Sequence, residues 1–273
     1  MSPIQLNSTR IQRFTISIRP VRLRVIIEKK HSVTVLTIVI PAYNEESNIS
    51  GTMQALRESI SIANVVYPIE VIIVNDCSTD RTAEYALDCV SNAVHQMQNL
   101  SARLINLSLN MGLVRACMIG AANGSYRFLK ILCGDNSEPA NALAEQLIHV
   151  GRVNVIIPIH RSVINKSRRR LWLSNVYTKI FNLVSGLDAE YVNGCGIYPR
   201  EQFLRHVNPS HKFGFQAYVY YAIARNTPSM LSVYIDDLTH DDSNQNALTH
   251  LNLIGVMHAH VSIALRRINR IFF

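Results

Sequence analysis

The chain has 273 residues, 48% of them apolar, and a formal net charge of +8. This length buries a sizeable core without staples, and its five scattered cysteines, Cys77, Cys89, Cys117, Cys133 and Cys195, form no C-x-x-C pair and no zinc pattern. Every apolar run is broken by Pro, Asn, Arg or His well short of the roughly 20 residues of a spanning helix, and the N-terminus lacks the apolar core of a secretory signal, so a cytoplasmic chain without a transmembrane span is expected.

Much of the charge is local. Residues 1–30 hold Arg10, Arg13, Arg19, Arg22, Arg24, Lys29 and Lys30 against Glu28 alone, which marks 1–32 as a basic extension. No aromatic-and-basic recognition module accompanies it, so nucleic acid is not the expected partner. From Val33 the pattern changes: Val33–Ile40 is a β-branched run suited to a central parallel strand, ended by Pro41 and a polar turn. Helical spacing follows over Glu46–Ile62 (Ile49, Met53, Leu56, Ile60), then a second strand over Ile69–Val74 and a helix over Thr82–Met97 capped by Ser78 or Thr79. Arg103–Leu107 reads as a third strand, Leu113–Ala122 as a helix, Tyr126–Leu132 as a fourth strand, Ala140–Val150 as a helix and Val153–Ile157 as a fifth strand. The alternation predicts a single α/β domain: a mostly parallel, Rossmann-like central sheet flanked by helices, with ligands at the carboxyl ends of the strands.

Past residue 160 the alternation is irregular. A basic stretch from Arg161 to Arg170 precedes a helix over Leu171–Val184, a Gly-rich turn at Asn193–Gly196 and aromatic helical spacing near Tyr218–Tyr221. The expected organisation is a body over 33–245, with a nucleotide half at 33–158 and an acceptor half at 159–245, and a terminal amphipathic helix over 246–273. That helix joins the apolar segment Leu251–Leu265 to Arg266, Arg267 and Arg270, a composition suited to a membrane surface or a partner helix.

The polar residues cluster where strands end. Pro41-Ala42-Tyr43-Asn44-Glu45-Glu46 opens a turn into a helix N-terminus, a place that binds anions or polar ligands. Asn75-Asp76-Cys77-Ser78-Thr79-Asp80 sets a carboxylate just past a buried strand, where it can accept hydrogen bonds from a base or ribose. Asn110-Met111-Gly112 is followed by small residues at Ala116, Gly120 and Gly124, and the next strand runs into Cys133-Gly134-Asp135-Asn136-Ser137-Glu138-Pro139. A nucleoside diphosphate needs a hard cation, Mg²⁺ or Mn²⁺, and Asp135 is the candidate to hold it.

Taken in order, these motifs resemble the family 2 glycosyltransferases over roughly residues 33–240. The resemblance implies a GT-A fold and an inverting transfer from a nucleoside-diphosphate sugar. By matching motif positions it implies Pro41, Ala42, Tyr43 and Glu45 along the nucleotide, Asp76 on the base, and Asp135 on the metal and diphosphate as a catalytic residue. The second half is similar to the dolichyl- and polyprenyl-phosphate sugar transferases. There the resemblance implies that Arg161, Arg170 and Ser174 grip a lipid phosphate, Arg170 as part of the catalytic set; guanidinium pairs bidentately with phosphate, and Arg170 and Ser174 are one helical turn apart. An enzyme peripheral to the cytoplasmic face of a membrane follows.

Two departures stand out. Where the family shows D-x-D, this chain has Cys133-Gly134-Asp135, leaving Ser137 or Glu138 to complete a weaker metal site. Where that branch has a basic late segment, this chain has Asp236-Asp237-Leu238-Thr239-His240-Asp241-Asp242, in which His240 is a further metal or diphosphate candidate. With a saccharide acceptor in place of a lipid phosphate, a carboxylate must take a proton, and Glu138, Asp236, Asp237, Asp241 and Asp242 are the candidates. A binding module that has lost turnover is the rival from another class. A sugar-phosphate nucleotidyltransferase would need a Gly-rich basic loop that Pro41–Glu46 lacks.

Overall fold

The computed structural model describes residues 14–18, 21–25, 36–162, 168–192, 194–236 and 250–272. The chain divides into two units, 1–32 and 33–273. In the first, β1 (Phe14–Ile18) and β2 (Val21–Val25) pair antiparallel, Phe14 opposite Val25 and Ile18 opposite Val21. The basic extension therefore contains a hairpin that was not expected; the alternation of Val21-Arg22-Leu23-Arg24-Val25 was its signal.

The second unit alternates β3 (Leu36–Ala42), α1 (Ile49–Ile62), β4 (Ile69–Asn75), α2 (Thr82–Gln96), β5 (Leu100–Asn106), α3 (Leu113–Asn123), β6 (Phe128–Ile131), α4 (Ala140–Leu147) and β7 (Val155–Ser162). Then come α5 (Arg168–Ser185), β8 (Ile197–Pro199), α6 (Arg200–His206), a 3₁₀ segment (Pro209–Gly214), α7 (Phe215–Ala224), β9 (Met230–Asp236) and α8 (His250–Phe272). The seven strands lie in the order β5-β4-β3-β6-β8-β7-β9. All are parallel except β8, which runs against both β6 and β7. Two antiparallel junctions restore direction, so β7 and β9 point the same way as β3.

Residues of β3 and β4 are buried along their whole length, as strands covered on both faces must be. Successive side chains serve opposite cores. Ile38 and Ile40 of β3 and Val71 and Ile73 of β4 pack with Met53 and Leu56 of α1 and Leu143 of α4. Val39, Ile72 and Val74 pack with Cys117 of α3, Phe181 of α5 and Ile263 of α8. The small residues of α3 serve this layering: a Cβ on Gly120 would lie 2.3 Å from Val39 Cγ1.

Pro41 was expected to end the first strand of the body, yet β3 continues to Ala42. The β3–β6 ladder stops at Val39 opposite Ile131, so the N–H that proline lacks falls past the end of its neighbour. At the opposite edge of the sheet the buried Glu70 carboxylate accepts from Thr37 Oγ1 (3.0 Å), Ser125 N (2.8 Å) and Arg103 Nη2 (3.2 Å).

Candidate functional site

Three loops meet at the carboxyl edge of the sheet, and each turns through a non-glycine residue with positive φ: Asn44 (56°) after β3, Cys77 (59°) after β4 and Asn136 (53°) after β6. The first two are laced together. Asn44 N donates to Ser78 Oγ (3.0 Å), Glu45 N to Thr82 Oγ1 (2.7 Å) and Glu46 N to Asp80 Oδ2 (3.2 Å). In return Thr79 N donates to Asn44 Oδ1 (2.9 Å) and Arg81 N to Glu46 Oε2 (2.9 Å). The N–H groups of Asn44, Glu45 and Glu46, in the turn where an anion was expected to bind, are thus taken up by the neighbouring loop.

Asp76 lies on the floor beneath these loops, 2% exposed. Its Oδ1 accepts from Met111 N and its Oδ2 from Gly112 N, each at 2.7 Å, while Asn110 Nδ2 donates to the Asp76 carbonyl. Gly112, with φ 84°, stands at the N-terminus of α3 in a conformation that favours glycine. The motifs containing Asp76 and Asn110–Gly112 are thus two halves of one joint. What the structure shows of Asp76 is that it anchors the Met111–Gly112 backbone, where direct contact with a base was expected.

The loop after β6 is seated on α1. Thr52 Oγ1 donates to the Gly134 carbonyl and accepts from Asn136 N, both at 3.0 Å. Gly134 N donates to the Pro41 carbonyl (3.3 Å), and a Cβ on Gly134 would come within 3.0 Å of that oxygen and 3.5 Å of Glu45 Cγ. Asp135 Oδ1 accepts from Ser137 N (3.1 Å), so Ser137 contributes its backbone to an Asx turn. Glu45, whose Oε2 accepts from Asn48 Nδ2 (2.7 Å), titrates above the ordinary carboxylate range. Burial is the main cause, with smaller contributions from the charges of Asp135 and Asp80. Among the described residues no three His, Cys, Asp or Glu side chains are grouped to hold a metal. One or two carboxylates instead fit a cation that shares its ligands with phosphate oxygens.

Cys133 occupies the position at which the family shows its first aspartate. Its thiol is in hydrogen-bond contact with that of Cys195, and that contact, with burial, pushes its pKa well up. The position therefore carries a neutral thiol. Cys195 Sγ also accepts from Gln216 Nε2, which ties the turn before β8 to α7.

A residue that sequence reasoning missed joins these parts. Lys130 of β6 is 1% exposed, and its three ammonium protons have three acceptors: Glu138 Oε1 (2.8 Å), Gln146 Oε1 (3.0 Å) and the Cys195 carbonyl (2.7 Å). Glu138 also accepts from Gln146 Nε2 (2.6 Å), so this candidate base is committed to a buried ion pair. The signal in the sequence was a lysine inside the apolar run Phe128-Leu129-Lys130-Ile131-Leu132, a residue type almost never buried unpaired.

The carboxyl end of β7 places Arg161 on the same edge of the sheet as Asp135, and Arg170 and Ser174 follow in the first turns of α5. Ser174 is half-buried; the side chains of Arg161 and Arg170 lie outside the described residues. So do His240, Asp237, Asp241 and Asp242, and the side chain of Asp236. Pro41 and Ala42 are buried in β3, and Tyr43 is exposed at the rim.

A seven-stranded sheet with an antiparallel strand set into its parallel order, and carboxylate loops at one edge, defines a nucleotide-sugar transferase class of fold. Residues 37–212 match the model of glycosyl transferase family 2, and the chain belongs to that family. It is 28% identical over 153 residues to an uncharacterised glycosyltransferase of Synechocystis sp., covering 55% of this chain and 44% of that protein. It is also 28% identical over 127 residues to the poly-beta-1,6-N-acetyl-D-glucosamine synthase of Staphylococcus epidermidis, covering 46% of this chain and 28% of the synthase. The chain thus spans less than half the length of either relative. Among solved structures it is similar to glucosyl-3-phosphoglycerate synthase of Mycobacterium tuberculosis, crystallised with Mn²⁺, UDP-glucose and phosphoglyceric acid. The TM-score is 0.62 at 14% identity, over 85% of this chain and 80% of the other, a likeness of fold.

Proposed function

We propose that this chain is an inverting glycosyltransferase that moves a sugar from a nucleoside-diphosphate sugar to a polyprenyl-phosphate-type acceptor at the cytoplasmic face of a membrane. The observation that carries the reading is the common sheet edge of two features: the Asp135 loop, packed against Glu45, and the carboxyl end of β7, from which Arg161 extends the chain toward Arg170 and Ser174.

In this reading Pro41, Ala42, Tyr43 and Glu45 border the nucleotide, and Asp76 acts through the Met111–Gly112 backbone that it holds. Asp135 holds Mg²⁺ or Mn²⁺, with Ser137 and His240 as lesser candidates. The cation, when bound, neutralises charge on the departing diphosphate. Lys130, through Glu138, and Thr52 fix the loop that carries Asp135. Arg161, Arg170 and Ser174 orient the acceptor phosphate, whose oxygen is ionised at neutral pH and needs no protein base.

A second reading, transfer to a saccharide hydroxyl, is favoured by the relative that makes poly-N-acetylglucosamine. It requires a base. Glu138 is tied to Lys130, whereas the exposed Glu190 accepts from the Tyr234 hydroxyl (2.9 Å) near the carboxyl end of β9.

The test is a transfer assay with UDP- and GDP-sugars and Mg²⁺ or Mn²⁺, with and without a short polyprenyl phosphate, beside Asp135→Ala. Turnover that requires the lipid phosphate and disappears in the variant is expected. Turnover only with saccharides would replace the first reading with the second, and nucleotide binding without turnover under any condition would make the chain a binding module.

A further inference from the structure

Among the described residues, two helices that pack against the body leave a broad apolar face exposed. α5 and α8 lie side by side and run in the same direction. The Tyr177 ring meets His260 edge-on at 5.1 Å, and seven residues further along both helices Arg267 Nη1 donates to the carbonyls of Leu183 (2.9 Å) and Val184 (3.2 Å). At roughly 100° per residue, the core-facing positions of α5, Thr178, Phe181 and Ser185, lie to one side of this seam, and those of α8, Ala259 and Ile263, lie to the same side. The remaining faces of the two helices therefore open together on the other side. There α5 exposes Trp172, Ile180 and Leu183, the first at 63% and the last at 80%, and α8 exposes Met257, Val261 and Ile268, all large and apolar.

We infer that this two-helix face docks on an anionic lipid surface, with Trp172 and Leu183 of α5 and Met257 and Val261 of α8 entering the headgroup layer. Charge selects this occupant. Across Arg168–Ser185 and His250–Phe272 the sequence has seven Arg or Lys (168, 169, 170, 179, 266, 267 and 270) and no Asp or Glu. Of these, Lys179 is exposed on α5, Arg266 turns to the Tyr218 hydroxyl and Arg267 to the Leu183 and Val184 carbonyls, and neither helix offers a second copy an acidic partner. An acidic bilayer surface provides the opposite charge, on the order of 1 kcal/mol for each basic residue near it, as well as an apolar layer. No helix among the described residues is long and apolar enough to cross a membrane, so the fitting arrangement is one in which α5 and α8 lie along the interface. The inference is independent of the proposed acceptor: vesicle binding by a chain that transfers nothing would leave this face assigned and the enzymatic reading refuted.

Trp172 is the chain's one tryptophan and sits on the face, so its emission reports on docking directly. The full chain is titrated with vesicles of phosphatidylcholine alone and of equal parts phosphatidylcholine and phosphatidylglycerol. A blue shift and co-sedimentation with the acidic vesicles only are expected. Met257→Glu/Val261→Glu should weaken binding roughly tenfold or more, as should Leu183→Glu alone, while Val66→Glu, at an exposed site after α1, should bind like wild type; unchanged thermal unfolding verifies each fold. Three results would overturn the inference: no binding to acidic vesicles, full binding by both face variants, or sedimentation without a shift in Trp172 emission. A concentration-dependent dimer abolished by the same variants would assign the face to a second copy instead.

Discussion

The carboxylate of Asp76 and the backbone N–H of Gly112 are 2.7 Å apart, and the other carboxylate oxygen is equally close to Met111 N. A buried anion thus closes two strand-end loops through one side chain. Asp76→Asn keeps the shape but replaces one acceptor oxygen with an NH₂ group facing an N–H. Stability should fall by about 1.5–3 kcal/mol in chemical denaturation, and UDP binding should weaken in equilibrium dialysis. Full UDP affinity in a destabilised variant would separate this joint from the ligand site.

Lys130→Met leaves Glu138 facing Gln146 without its cation. Breaking such a buried pair costs about 3–5 kcal/mol, whereas replacing both members with apolar residues is often near neutral. Lys130→Met/Glu138→Leu should therefore recover much of the stability lost by Lys130→Met. If denaturation midpoints of the double and single variants coincide, the ion pair is not what holds this loop.

Asp135→Ala should lower transfer by about 100- to 1,000-fold, the scale of losing one major stabiliser of developing charge. Cys133→Asp should have the opposite effect on the cation. It exchanges a neutral thiol for a second carboxylate, so Mn²⁺ affinity in the presence of UDP should rise. Calorimetry showing unchanged affinity would remove position 133 from the metal's surroundings.

His211 is buried, with Nε2 3.1 Å from Ser262 Oγ and, among the described residues, no hydrogen-bond partner for Nδ1. Burial, and secondarily the nearby His258, lowers its pKa from 6.5 to about 4. The unfolded chain takes up this proton first. The neutral form's full contribution to stability is present above pH 6.5 and is lost as the pH falls toward about 4, on the order of 3 kcal/mol in all. Melting temperatures measured across that window should decline less steeply for His211→Gln. Parallel curves for the two proteins would exclude His211 as the source.

The parallel strands β3 and β4 were legible because doubly covered strands are continuous apolar runs, and the spacing of Ile49, Met53, Leu56 and Ile60 gave the buried face of α1. The position of the polar motifs at one sheet edge followed from the alternation. β8 was not legible: three residues set antiparallel between β6 and β7 leave no periodicity to detect. Lys130 was marked by its apolar neighbours as a buried cation, but its partners were not legible, since Gln146 and the Cys195 carbonyl are distant in sequence. The lacing of Asn44–Glu46 to Ser78–Thr82 was equally invisible, because bonds from backbone to side chain between loops have no sequence period.

That lacing also limits how the site can be re-engineered. Grafting the loop after β3 from a homologue, while keeping the loop after β4, would strand the N–H groups of Asn44, Glu45 and Glu46 unless the incoming partners matched Ser78, Thr82 and Asp80. The two loops behave as one transplantable cassette. The exposed side chain of Tyr43 takes no part in these bonds, so its exchange leaves the cassette intact.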